Sequence, residues 1–290
     1  MSIENKILLA TDLDDTLGTT LKNTFPDFPR HFFPACDRLR REFGEVLNIV
    51  PNTNRPEFYA QIAGSLMHSK LLITESGGVI IAADGTFTSI HPAFHYYVRA
   101  ERPKVMAIVD EEIHALGLDG VVAEQPTATV TACFYPFDDK VEMKKLIDKV
   151  DRQVRRARLA TDVEVKGDKR LDIAPKNLRK ERGLEHLRQN SWELAVRAFG
   201  EAPQHIMTID DSYSTIGLYE QLVAYRRDPK GIVLTMGNSD TNLIKFVKGH
   251  GGFHSQKTYV DGVIDSVSQA LNSLGVIKRS GIWQINYSSI

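Results

Sequence analysis

A chain of 290 residues has room for about two domains. Its 42% hydrophobic and 25% charged residues suit a globular chain with a sizeable core and exclude disorder, collagen and coiled coil as the main architecture. Lys+Arg 36 against Asp+Glu 37, a net charge of −1, lacks the basic excess of a dedicated nucleic-acid binder. Cys36 and Cys133 lie far apart without metal-ligand spacing, which argues against a disulfide framework or structural zinc. Residues 1–6 carry no basic region leading into a long apolar stretch, and no apolar run reaches the ~18–20 residues of a membrane helix. The expectation is a cytoplasmic protein with neither a membrane nor a nucleic-acid partner.

Short apolar runs bounded by turn residues read as buried parallel strands. The first is Ile7-Leu8-Leu9-Ala10, ending in Thr11-Asp12. A helical stretch at about 34–43, a second run at 46–50, a helical stretch at 55–65 and a third run at 71–73 follow. Asp84-Gly85, between Val79-Ile80-Ile81 and Thr86-Phe87, signals a hairpin and breaks the rhythm. A helix at about 103–116, a strand within 127–135, a helix over 138–158 and strands at 162–165 and 170–173 come next, so the middle reads β-β-α-β-α-β-β. Helical stretches at 179–199, 213–224 and 239–248 then alternate with runs at 205–209 and 231–234. The fold class is α/β, a parallel sheet with an inserted α+β module. Residues 1–82 and 175–274 form the core, 83–174 the insert and 275–290 a tail. In that tail Trp283, Ile285 and Tyr287 alternate, as a docked strand or a partner contact would.

Two features read as ordinary surface. Arg152, Arg155, Arg156 and Arg158 share a helix with Asp148 and Asp151, a solvated face before an anion-binding one. His250 and His254 are spaced i, i+4, but Gly251 and Gly252 between them oppose a helix and place both in a loop.

Ligands of parallel sheets bind beyond the carboxyl ends of the strands. There, directly after the first run, stands Asp12-Leu13-Asp14-Asp15-Thr16-Leu17. Two carboxylates at i and i+2 converge if the chain turns; one can attack phosphorus beside a divalent cation while the other protonates the leaving oxygen and then activates water. The same residues also read as a solvated acidic turn or a helix N-cap.

This hexapeptide resembles the DxDxT signature of haloacid dehalogenase (HAD)-type phosphohydrolases, whose fold is a Rossmann-like parallel sheet. The resemblance runs over nearly the whole chain. It is nearest to the Cof-type and sucrose-phosphate-phosphatase-like subgroup, in which a large cap is inserted where 83–174 lie here. It implies the following roles. Asp12 is the nucleophile and a magnesium ligand; Asp14 is the general acid/base, with its backbone carbonyl on the metal; Thr16 holds the loop. Thr53 and Asn54, in Pro51-Asn52-Thr53-Asn54-Arg55, bind the phosphoryl group, with Asn54 where the subgroup carries glycine and Arg55 beside it on the substrate side. In Leu171-Asp172-Ile173-Ala174-Pro175-Lys176-Asn177-Leu178-Arg179-Lys180, Lys180 matches by spacing the lysine that neutralises nucleophile and phosphate, with Lys176 the alternative. In Ile206-Met207-Thr208-Ile209-Asp210-Asp211-Ser212, Asp211 takes the metal and Asp210 is a further ligand or a supporting group. Ser214 and Thr215 stand where relatives carry Asn-Asp, so one acid is missing. Gly77-Gly78 and Gly237-Asn238 match loops that border the substrate pocket, and Asp261-Gly262-Val263 matches the start of the last helix.

The resulting expectation is a magnesium-dependent phosphatase acting on a small phosphorylated metabolite, a sugar phosphate. A sugar phosphomutase of the same superfamily and a catalytically weak binding or regulatory protein are the alternatives, the latter because of Asn54 and Thr215.

Overall fold

Ile7–Thr11 is strand β1, and all five residues are buried. It runs parallel to two neighbours, so both of its faces are covered and apolar residues recur without the alternation of a half-exposed strand. The computed structural model describes residues 7–18, 28–118, 122–124, 131–134, 140–166, 170–225, 229–279 and 281–285. After β1 come α1 (Phe28–Phe43), β2 (Asn48–Pro51), α2 (Glu57–Met67), β3 (Leu71–Thr74), β4 (Val79–Ala82) and β5 (Thr88–Ile90). The middle of the chain holds α3 (Pro92–Tyr96), α4 (Arg102–Ala115), β6 (Val122–Glu124), β7 (Thr131–Phe134), α5 (Lys140–Arg156), β8 (Thr161–Lys166) and β9 (Arg170–Pro175). It closes with α6 (Lys180–Phe199), β10 (His205–Ile209), α7 (Ile216–Ala224), β11 (Lys230–Thr235), α8 (Thr241–Gly249), β12 (Phe253–His254), α9 (Tyr259–Ser273), β13 (Val276–Arg279) and β14 (Ile282–Ile285).

The parallel sheet has the order β12-β11-β10-β1-β2. Its two faces carry separate cores, because successive side chains of a strand point to opposite sides. Ile7 and Leu9 pack with Leu39 and Phe43 of α1 and Val263, Val267 and Leu271 of α9. Leu8 and Ala10 pack with Leu184 and Leu187 of α6, Leu218 and Leu222 of α7 and Leu243 of α8. This is a three-layer α/β sandwich, as the alternation of runs and helical stretches predicts.

β3, β4 and β5 form an antiparallel sheet, joined to β2 through a bridge between Asn52 and Ile73. A four-stranded antiparallel sheet, β6-β7-β9-β8, has α4 and α5 packed on it through Val105, Val109, Leu146, Val150 and Ile173. Three details depart from the expectation. The middle segment has one more strand, Val122–Glu124, giving β-β-α-β-β-α-β-β; three residues are too few for a period to show. The helix expected from 103 is preceded by α3 and a π-helical turn at Tyr97–Glu101, so helical backbone begins at Pro92 and Pro103 sits in the first turn of α4. His254 belongs to the two-residue edge strand β12, paired with Thr235, and is not in a loop; His250 caps α8. Of the alternating tail residues, Trp283 lies in hairpin strand β14, its ring 5.6 Å from that of Phe43, while Tyr287 falls outside the described residues. Among the described residues no helix is long and apolar enough to cross a membrane.

Candidate active site

The carboxyl ends of β1, β2, β10 and β11 lie side by side, and the segments that leave them carry the polar residues. Asp12 continues β1; its backbone N–H donates to the Ile209 carbonyl at 3.1 Å. The chain then turns tightly, with the Leu17 N–H donating to the Leu13 carbonyl at 3.0 Å and Asp15 in the left-handed region at φ 53°. Asp is among the few non-glycine residues that enter that region readily. The turn is held from β11's side, where Asn238 Nδ2 donates to the Asp15 carbonyl at 2.6 Å, and Asn238 Oδ1 accepts from the Tyr259 N–H at 2.8 Å.

From β2's side come Thr53 and Arg55. The Thr53 N–H donates to the Ile73 carbonyl at 3.0 Å, and its Oγ1 accepts from the Arg55 N–H at 3.1 Å. The Arg55 carbonyl accepts from Thr74 Oγ1 and from the Glu75 N–H. With its backbone fixed at both ends, the Arg55 guanidinium meets Asp14 in a fork, Nη2 to Oδ1 at 2.7 Å and Nε to Oδ2 at 2.8 Å, with Tyr59 beneath it at 5.3 Å. Such bidentate pairs fix a carboxylate's orientation as well as its charge. Asn54, next in sequence, is exposed.

Lys180 opens α6 and is only 4% exposed. Its Nζ lies 2.7 Å from Asp12 Oδ2 and 2.7 Å from Asp210 Oδ2. Burial opposes the lysine's charge, but the carboxylates of Asp12 and Asp210 outweigh it and hold the ammonium above the usual lysine range. Lys176, the alternative by sequence, is half-exposed and pairs with Asp162 at 3.5 Å. Asp210 is 1% exposed; its Oδ1 accepts from the Ser212 N–H at 3.0 Å, and its carbonyl accepts from Ser239 Oγ at 3.2 Å and Tyr219 Oη at 3.4 Å. Asp211 accepts from Thr16 Oγ1 at 3.3 Å. Thr215, where an acid is expected, donates its hydroxyl to the Ser212 carbonyl at 2.6 Å and so closes the turn after Asp211.

Asp12, Asp210 and Asp211 each bring a carboxylate oxygen within 4.8 Å of the others. Burial raises the Asp12 carboxyl well above the usual range; Lys180 opposes this, and Asp210 and Asp14 add to it. Burial, then the charge of Asp210, pushes Asp211 up to about 7. Three carboxylates face one ammonium, because Arg55 is committed to Asp14. The excess negative charge and the all-oxygen donor set fit a hard divalent cation such as magnesium, which binds through one or two carboxylates and keeps several waters.

The structure brings the sequence-predicted residues to these strand ends in two groups, Asp12, Lys180, Asp210 and Asp211 in one and Asp14, Arg55 and Thr53 in the other, with Asn238 on the Asp15 carbonyl. Gly77 and Gly78 are placed differently. A side chain at Gly77 would meet the Gly183 nitrogen and the Arg179 carbonyl of α6's first turn, and one at Gly78 would meet Phe94. Sequence reasoning missed Tyr219, Ser239 and Tyr259. They act on backbone carbonyls or through backbone N–H groups, which leave no residue signature.

At the level of sequence, no family model matches the chain, and none of the curated proteins is similar to it. Solved structures are similar in fold. A haloacid dehalogenase-like hydrolase from Bacteroides thetaiotaomicron superposes with a TM-score of 0.60 at 15% identity, covering 91% of this chain and 99% of that one. The sucrose-phosphatase of Synechocystis sp. PCC6803, solved with sucrose and phosphate, gives 0.56 at 14%, covering 92% and 98%. The trehalose-6-phosphate phosphatase of Aspergillus fumigatus gives 0.57 at 16%, covering 93% of each chain. The chain has the haloacid dehalogenase-like hydrolase fold.

Proposed function

We propose that this protein is a magnesium-dependent phosphatase that hydrolyses a small phosphorylated metabolite, with sugar phosphates as the substrate class, through an aspartyl-phosphate on Asp12. One observation carries the reading: the carboxylates of Asp12, Asp210 and Asp211 converge beside the buried Lys180 ammonium at the carboxyl ends of neighbouring strands. The likeness in fold to a sucrose-phosphatase and to trehalose-6-phosphate phosphatases supports the substrate class. The segment 83–174 is read as the cap that selects the leaving group.

Magnesium held by Asp12, Asp211 and the Asp14 carbonyl, with Asp210 alongside, would supply charge neutralisation between the anionic nucleophile and the anionic ester. The chain's own residues do the rest. An Asp12 carboxylate oxygen attacks phosphorus as the ester P–O bond breaks, and Asp14 gives its proton to the departing alkoxide. Lys180 balances charge on the Asp12 side of the phosphoryl group, and Thr53 with its neighbouring backbone N–H groups holds the equatorial oxygens. Asp14 then takes a proton from water, the hydroxide attacks phosphorus, and the Asp12–phosphorus bond breaks to release inorganic phosphate and restore the carboxylate. Arg55 orients Asp14 through its forked contact when Asp14 acts as base, and through the one remaining acceptor oxygen when Asp14 carries the proton it donates.

The test is phosphate release from a panel of phosphorylated metabolites, with and without magnesium, for the wild-type protein and Asp12→Asn. Turnover of at least one ester that depends on magnesium and vanishes in the folded variant is expected. Undiminished turnover in Asp12→Asn or after chelation would overturn the assignment.

A further inference from the structure

A second concavity lies away from the carboxylates, where the hairpin β4–β5 meets the C-terminal ends of α2 and α6. It has a volume of about 780 Å³, within the range of small-molecule sites. Ser65 and Ser69 line it from the end of α2, Lys70 from the start of β3, Asp84 and Thr86 from the hairpin turn, and Arg197 from the last turn of α6.

Its chemistry is polar and biased. The Asp84 carboxylate is occupied by its own turn, accepting from the Thr86 N–H at 3.0 Å and Thr86 Oγ1 at 2.7 Å. The lining thus sets the two cations Lys70 and Arg197 against the single carboxylate of Asp84, an excess of one positive charge. Arg197 lies with its guanidinium 4.5 Å over the Phe87 ring, a contact that braces the side chain while leaving its N–H donors available. Lys70 and Arg197 have no carboxylate partner among the described residues. The turn bearing Lys70 is fixed, since its carbonyl accepts from the Ala83 N–H at 3.0 Å.

We propose that this cavity is a second binding site, separate from the Asp12 centre, for a small phosphorylated polyol. Lys70 and Arg197 would take the phosphate as charge-assisted donors. The hydroxyls of the ligand would serve the other wall. Gln61 and Ser65 line that wall with polar side chains. The ligand would bridge β3 and α6, and α6 carries Lys180 at its other end. This inference does not depend on the chemistry proposed for Asp12.

The experiment uses the full chain in an Asp12→Asn background, so that a hexose phosphate survives titration. Glucose 6-phosphate, glucose and inorganic phosphate are the probes, and methyl resonances of Leu72, on the cavity wall, are the readout. Glucose 6-phosphate should shift the Leu72 methyls saturably, and the double substitution Lys70→Gln/Arg197→Gln should weaken that Kd by about tenfold or more. Both replaced side chains are exposed, so the fold is expected to survive, and phosphate release in an Asp12-containing Lys70→Gln/Arg197→Gln protein should match wild type. An unshifted Leu72, or the same Kd in the double variant, overturns the site. Inorganic phosphate binding as tightly as glucose 6-phosphate overturns the assignment of a polyol.

Discussion

The Lys180 ammonium lies 2.7 Å from a carboxylate oxygen of Asp210, and both side chains are almost completely buried. Thr215, where an acid is expected, closes the turn after Asp211, while Asp210 turns its carboxylate toward the lysine that also reaches Asp12. Removing one partner of a buried ion pair leaves an uncompensated charge and costs about 3–5 kcal/mol. Lys180→Met should lose stability of that size, read by denaturant unfolding of the metal-free protein, and should lose phosphate release altogether. Asp210→Asn keeps the shape and a hydrogen-bond acceptor for Lys180. It should stay folded with a kcat reduced by about 10–100-fold, a loss of about 1.4–2.7 kcal/mol in transition-state stabilisation.

The raised Asp211 carboxyl fixes the sign of a pH effect. Between its ordinary 3.8 and about 7, Asp211 is ionised in the unfolded chain and protonated in the metal-free fold. Folding then takes up a proton, so stability is full below pH 3.8 and is lost as pH rises through about 7, by on the order of 3 kcal/mol. Asp12, also raised, adds in the same direction. Thermal unfolding of chelated protein should show a Tm that falls across this window, and Asp211→Asn should flatten the fall. Magnesium competes with the proton for these carboxylates, so the Tm gain on adding it should grow from pH 5 to 8 in wild type. A chelated protein whose Tm rises from pH 5 to 7 contradicts the arrangement.

The legible parts of this molecule are those in which one residue type repeats or a polar residue ends an apolar run. β1, β2, β10 and β11 are buried on both faces and so read as continuous apolar runs, each placing its last polar residue at the site. Lys180 was legible from its distance to the strand and proline before it. Val122–Glu124 and Phe253–His254 were not, because two or three residues carry no period. The second partner of Lys180, Asp210, was not legible either. Asp210 and Asp211 are adjacent in sequence, and only the backbone after β10 decides that the first meets the lysine while the second faces Thr16.

Arg55 and Asp14 yield a prediction about orientation. The forked contact holds Asp14 at two atoms, while the Arg55 backbone is pinned by Thr53, Thr74 and Glu75. A lysine at 55 keeps a positive charge and loses the fork. Arg55→Lys should therefore lower kcat by about tenfold, a part of the 10²–10⁴ that a positioned acid/base contributes, with little change in Tm. Arg55→Ala should lower it further. Steady-state kinetics on the best ester from the metabolite panel checks both, and equal kcat values for Arg55→Lys and wild type would remove Arg55 from the positioning role.

Gly77 supplies a prediction in which backbone packing alone reaches the chemistry. It sits in the β3–β4 turn at φ 81°, a conformation costly for any residue with a Cβ. A methyl group there would also lie 2.5 Å from the Gly183 nitrogen and 2.6 Å from the Arg179 carbonyl, both backbone atoms that cannot rotate away. The α6 first turn must then move, and Lys180 moves with it. Gly77→Ala combines a backbone penalty of about 1 kcal/mol with an overpacking cost of about 1–3 kcal/mol. Gly85 has φ 74°, and nothing lies within 4 Å of a Cβ placed there, so Gly85→Ala isolates the backbone term. Denaturant unfolding should show the larger loss for Gly77→Ala, and phosphate release should fall in that variant alone, because a methyl group at Gly85 meets no atom within 4 Å and so displaces nothing. Matching losses in the two variants would mean that the close approach to Gly183 contributes nothing to holding Lys180 against Asp12.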